Sequence, residues 1–123
     1  MTVRASATER PREICLAFPE AHEDVFGGHT KPTWRVRGKI FAMMSEHAED
    51  VTFKAAPGAQ DILVGAHPDS YYVPRYVGTK GWVGVRADRD DIDWDELAGL
   101  LFESYQMIAP NSVLKAAGIQ RSV

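Results

Sequence analysis

Trp34-Arg35-Val36-Arg37-Gly38-Lys39-Ile40-Phe41-Ala42-Met43-Met44 and, after a polar interval, Val51-Thr52-Phe53-Lys54 are the stretches that decide the fold. Successive side chains of an extended chain point to opposite faces, so Trp34 and Val36 fall on one side and Arg35 and Arg37 on the other. Gly38-Lys39 breaks that segment and Ile40 to Met44 begins another apolar one. The polar run Ser45 to Asp50 then turns the chain into Val51 to Lys54, where alternation resumes. Short polar turns between period-2 segments of similar length predict a three-stranded antiparallel meander. Its inward set is Trp34, Val36, Val51 and Phe53; Arg35, Arg37, Thr52 and Lys54 share the opposite face.

Upstream, Thr8 or Ser6 can cap a short helix whose apolar stripe is Ile14, Cys15 and Phe18. Pro19 stops it, by its missing donor and by the restriction it puts on Phe18. His22 to Phe26 reads as extended and Gly27-Gly28-His29 as a turn. No strand, glycine-rich run and helix follow one another there, so these glycines are not a phosphate loop. Downstream, Ala59 to Ala66 fits a two-turn helix after Pro57-Gly58. Tyr71-Tyr72-Val73 precedes Pro74, which favours an edge strand or a loop, and Trp82 to Arg86 reads as a strand.

The clearest helix follows. Asp93 caps it, Glu96 completes a capping box, and Ile92 with Leu97 supplies a hydrophobic staple. Trp94, Leu97, Leu101, Tyr105 and Ile108 recur at spacings of three and four and form one apolar stripe. The acidic group Asp91, Asp93, Asp95 and Glu96 sits at the positive end of that helix, where its charge is stabilising. Pro110 or Asn111 opens a final short helix that Gly118 closes, with Ile119 as its apolar contact.

A chain of 123 residues, 45% hydrophobic and 25% charged, fits one α+β domain over residues 1–123 with a real core. Cys15 is alone, so no disulfide forms within the chain, and its apolar neighbours make it a buried thiol. The net charge of -3 argues against polyanion binding by the whole surface. Residues 1–80 hold ten basic and ten acidic side chains and residues 81–123 hold four and seven, so any basic surface is local. Met1 to Glu9 lacks the apolar run of a secretory signal and no run approaches 18 apolar residues, so the expected location is cytoplasmic, with no membrane contact.

No catalytic, cofactor-binding or metal-ligating set emerges. His22, His29, His47 and His67 lack ligand spacing, and the lone cysteine reads as core. Ser45, Ser70, Ser104 and Ser112 lack a nucleophile-elbow context; Ser104 reads as a packing residue near the helix backbone. Adjacent Asp90 and Asp91 read as solvated loop carboxylates, and an enzyme is the weakest of the readings.

The sequence instead points to a surface. Arg35, Arg37 and Lys54 form a basic stripe, extended by Lys39 and Lys80, with the chemistry to contact the phosphates of DNA or another nucleic acid. Alternatively, Tyr71, Tyr72 and Tyr76 provide aromatic contact area for a protein partner or a small ligand. Trp34 and Trp82 each begin an alternating strand and read as core anchors rather than stacking platforms. The sequence leaves the oligomeric state open.

The chain also resembles the MmcQ/YjbR-like family. The likeness runs through Leu16-Ala17-Phe18-Pro19, His22-Glu23, Val36 to Ala42, Val51 to Ala55, Tyr71-Tyr72-Val73-Pro74, Lys80-Gly81-Trp82-Val83 and the helix from Leu97 to Tyr105, in order and over nearly the whole chain. The resemblance implies an antiparallel sheet packed against helices, of the double-wing type, similar in architecture to the C-terminal domain of the phage transcription factor MotA. DNA binding has been proposed for such proteins from that likeness of fold, and fold alone does not carry function. The matching positions are Gly38, Lys39, Phe41, Lys54, Lys80 and Trp82, and no catalytic role comes with them.

Overall fold

A computed structural model of the chain describes residues 8–25, 30–45 and 49–123. Ten regular elements follow one another among them: α1 (Glu9–Leu16), β1 (Ala21–Asp24), β2 (Thr33–Val36), β3 (Lys39–Met44), β4 (Asp50–Lys54), α2 (Ala59–Ala66), β5 (Tyr71–Tyr72), β6 (Trp82–Arg86), α3 (Trp94–Ile108) and α4 (Asn111–Ala116). A 3₁₀ turn over Gly78–Lys80 leads into β6. The six strands form one sheet in the order β1-β2-β3-β4-β6-β5, every pair antiparallel. This is the expected α+β architecture. The candidate cap Ser6, the Gly27-Gly28-His29 turn and His47 lie outside the described residues.

The meander β2-β3-β4 forms, and Trp34, Val36, Val51 and Phe53 are all fully buried. Two of its details differ from the alternation. Val36 pairs with Lys39, so the two-residue loop is Arg37-Gly38, with φ of 51° and 80°. Positive φ at both positions is the type I′ geometry that matches the twist of a hairpin, and glycine takes its half without strain. Arg37 therefore leaves the strand face it was expected to share, and Lys39 opens β3 instead of breaking the chain. Next, Trp34 pairs with Ala42 while Arg35 pairs with Ile40, which makes Phe41 an extra, bulged residue. The bulge lets Phe41 and Ala42 both be fully buried although they are adjacent.

Helices α1 and α3 cover one face of the sheet. Phe18, Phe41 and Tyr105 pack with ring centroids 5.1–6.0 Å apart, and Leu97, Leu101 and Tyr105 are wholly buried along α3. Cys15 joins this core, and burial pushes its thiol pKa up, as befits an inert packing residue. Ser104 places Oγ between the Leu100 carbonyl, 3.0 Å away, and the Lys54 carbonyl, tying α3 to the end of β4. Trp94 is half-buried, with the Arg10 guanidinium 4.7 Å over its ring, so it anchors the stripe less than its size suggests.

The opposite face is covered in part. Thr52 and Tyr72 both pair with Gly84, and a Cβ on Gly84 would stand 2.4 Å from the Tyr72 ring. The ring thus lies flat where β6 has no side chain, and Thr52 is buried beside it instead of facing solvent. Trp82 pairs with Lys54, so it too sits on this outer face, buried but apart from the main core.

Caps finish the elements. Asp93 Oδ1 accepts from the Glu96 amide at 3.0 Å, but the Glu96 carboxylate accepts from the Tyr71 hydroxyl at 2.9 Å, a tertiary contact for that side chain of the expected box. Thr8 stands at the start of α1 in helical conformation and makes no side-chain cap. At the far end, Ile119 donates to the Leu114 carbonyl and Gly118, at φ 72°, to that of Lys115, a Schellman close. Arg121 then returns to the Gln106 and Ala109 carbonyls at the exit of α3. Among the described residues no helix is long and apolar enough to cross a membrane.

Candidate nucleic-acid interface

Strand directions sort the charges by the ends of the sheet. Lys39 begins β3, Lys54 ends β4 and Trp82 begins β6; because these neighbours are antiparallel, all three lie at one end. Lys80, two residues before Trp82, and the Arg37-Gly38 turn lie there as well, as does the exit of β5 through Val73, Pro74, Arg75 and Tyr76. At the other end, β1 finishes at Asp24, β4 starts at Asp50, and Asp69, Asp88 and Asp91 flank β5 and β6. The sheet therefore has a basic end and an acidic end.

The five predicted cations do not make one stripe. Arg35 stays mid-strand on β2, where Nε donates to Thr33 Oγ1 at 3.1 Å and Nη1 reaches the Gly38 carbonyl at 3.4 Å. Arg37 donates from Nε and Nη2 to Glu20 at 2.8 and 3.3 Å, and this holds the Glu20 carboxyl below the usual carboxylate range. That pair is exposed and largely self-neutralised. Lys39, Lys54 and Lys80 are different: among the described residues none makes a side-chain ion pair or hydrogen bond. Lys39 and Lys80 are exposed and Lys54 is half-buried.

Lys54 and Lys80 line one cleft of about 600 Å³. Ala55, Ala56, Pro57 and Met107 give it apolar walls, and Asp61 brings a carboxylate. Gln60 holds the region together, donating from Nε2 to the Gly78 and Trp82 carbonyls at 2.8 Å each. The cleft can thus offer two ammonium groups beside an apolar surface, a fit for an anion with a flat or apolar body.

The three tyrosines do not share a surface. Tyr71 is buried, and desolvation followed by its bond to Glu96 pushes its phenol up. Tyr72 donates to Asp50 Oδ2 at 2.6 Å and lies 4.8 Å beneath the Arg86 guanidinium; desolvation and then Asp50 push its pKa up to about 12. Only Tyr76 of the three faces water, at 92% exposure. Arg75 beside it is exposed and also makes no side-chain ion pair or hydrogen bond among the described residues. Sequence reasoning passed over Arg75 because it lies outside every alternating segment, and Glu20 because only the fold brings it to Arg37. Among the described residues no group of three or more His, Cys, Asp or Glu side chains is placed to hold a metal.

Residues 16–107 match a family model described as YjbR. The chain belongs to the YjbR family. The crystal structure of Deinococcus radiodurans protein DR2400, described by the domain DUF419, superposes with a TM-score of 0.78 at 20% identity, covering 98% of this chain and 96% of that one. No curated protein matches the chain. The YjbR family is of uncharacterised function, so membership establishes the architecture and leaves the chemistry to the site.

Proposed function

We propose that this YjbR-family chain is a cytoplasmic binding domain that contacts DNA or another nucleic acid through the basic end of its sheet. Lys39, Lys54 and Lys80 supply the phosphate contacts, and Arg37 joins them when it lets go of Glu20. The observation that supports this reading is that three lysines, from three different strands and turns, lie at one end of the sheet with no ion pairs among the described residues. Cations grouped at one end with no neutralising carboxylate contribute a local positive potential that attracts a polyanion. The acidic end then sets orientation, since it repels a polyanion and leaves one end for approach.

Binding of labelled duplex and single-stranded DNA at several salt concentrations tests the reading. The expected result is an affinity that falls steeply with salt and drops at least about tenfold when Lys39, Lys54 and Lys80 are changed together to alanine. Binding unaffected by either change sinks the proposal. A second reading rests on the cleft: its apolar walls favour a small anionic ligand held by Lys54 and Lys80. Saturable binding of a small carboxylate or phosphate, with no nucleic-acid affinity, is the result that selects it.

A further inference from the structure

Tyr76 stands out in both its exposure and its backbone. Its φ is 66°, in the left-handed region, and the Val77 amide donates across it to the Arg75 carbonyl at 2.7 Å. A hydrogen bond spanning one residue at positive φ is a γ-turn, a tight and strained connection. Bulky residues are rare outliers there, and strain of this kind concentrates where function needs it. No burial of the ring offsets this strain, for Tyr76 is 92% exposed.

The turn itself is held firmly. Val77 accepts from the amides of Lys80 and Trp82 at 3.0 and 3.4 Å, and Val73 closes on Gly78, where an added Cβ would stand 2.6 Å from the Val73 side chain. Tyr76 is therefore presented by a fixed loop beside Lys80, at the end of the sheet that also carries Lys54 and Arg75. Resting on the nucleic-acid reading above, we infer that this end takes single-stranded nucleic acid in preference to duplex. An unpaired base stacks on the Tyr76 ring while Lys54, Lys80 and Arg75 hold the flanking phosphates. A base inside a duplex has both faces covered by its neighbours and offers the ring no free face, so the ring selects unpaired segments. Since every base has such a face, the preference is for strandedness more than for sequence.

The test compares labelled oligothymidylate, oligouridylate and a mixed-sequence duplex on the wild-type chain and on Tyr76→Phe, Tyr76→Gly and the Lys54→Ala/Lys80→Ala pair. Wild type binds either single strand more tightly than duplex, and the ratio of the two single-strand arms tells DNA from RNA as the source. Tyr76→Phe keeps that affinity, whereas Tyr76→Gly weakens single-strand binding by about 5- to 150-fold, the loss of one stacked base, and leaves the weaker duplex binding alone. Because glycine accepts positive φ, Tyr76→Gly melts no lower than wild type, which separates the loss from misfolding. If Tyr76→Gly keeps single-strand affinity within twofold while the lysine pair loses it, stacking is overturned and the basic-end reading stands. If no nucleic acid binds the wild type, both fall.

Discussion

The two ends of the sheet differ in how their charges are engaged. At the acidic end several charged groups are engaged within the molecule: Asp50 accepts from Tyr72, Arg89 forks onto Asp91 with two 2.8 Å bonds, Glu49 meets Lys31 at 3.5 Å, and Asp93 caps α3. At the basic end, Lys39, Lys54 and Lys80 have no such obligations among the described residues, and only Arg37 is tied, to Glu20. One end spends its charges on holding loops and helix termini in place. At the other end the lysine ammonium groups hold no such contacts among the described residues, a difference that net charge conceals.

Substitutions can break or sharpen the contrast, the strongest first. Leu101 lies wholly buried in the helix–sheet core shared by both ends. Leu101→Ala should lower stability by about 2–5 kcal/mol in denaturant melts, by opening a cavity, and should weaken both ends alike. Gly84→Ala should cost about 1–3 kcal/mol, because the Tyr72 ring must lift from β6 and its bond to Asp50 goes with it. Nucleic-acid binding by that variant, measured below its melting point, should be unchanged.

The same tyrosine gives a pH test. The Tyr72 pKa is raised in the folded chain from an ordinary 10.0 to about 12, so its contribution is fully present below pH 10 and is lost as pH rises through about 12. Thermal melts should show this alkaline decline in the wild type and a smaller one in Tyr72→Phe. On the acid side, Glu20 and Asp91 have lowered pKa values, so their ion pairs act above the ordinary carboxylate range and weaken as pH falls below it. The smallest expected effect is that of Glu20→Gln, which frees Arg37 at the basic end and should tighten nucleic-acid binding by a few-fold, adding about one phosphate contact to the salt dependence. No gain in affinity at low salt would mean that Arg37 lies outside the interface.

Much of the fold was legible because burial on one side of a strand leaves a period of two. Trp34, Val36, Val51 and Phe53 announced the core face, and Asp93 announced α3 before any coordinates were needed. The outer face was misread because its cover comes from a strand far along the chain. Gly84 between Val83 and Val85 was the available signal, since a glycine inside a strand marks a close approach. The bulge at Phe41 and the turn at Arg37-Gly38 escaped because both depend on register, which hydrophobic pattern sets only loosely over so short a hairpin. For the candidate site, the lysines were nominated by residue type, and their grouping was assigned to a face rather than to one end of the sheet. Only the insertion of β6 between β4 and β5 brings Lys80 to Lys54, and no local pattern encodes that step.

Among the described residues the unengaged lysines Lys39, Lys54 and Lys80 lie at a single end of the sheet, and the salt dependence of nucleic-acid binding tests their proposed role most directly. For single-stranded DNA, the slope of log affinity against log salt should shrink by about two when Lys39, Lys54 and Lys80 become alanine, as three phosphate contacts vanish. Removing Lys31, Arg86 and Arg89 from the acidic end changes net charge equally and should lower the melting temperature while leaving the slope in place. Equal slopes for the two triple variants would contradict the division of labour between the ends.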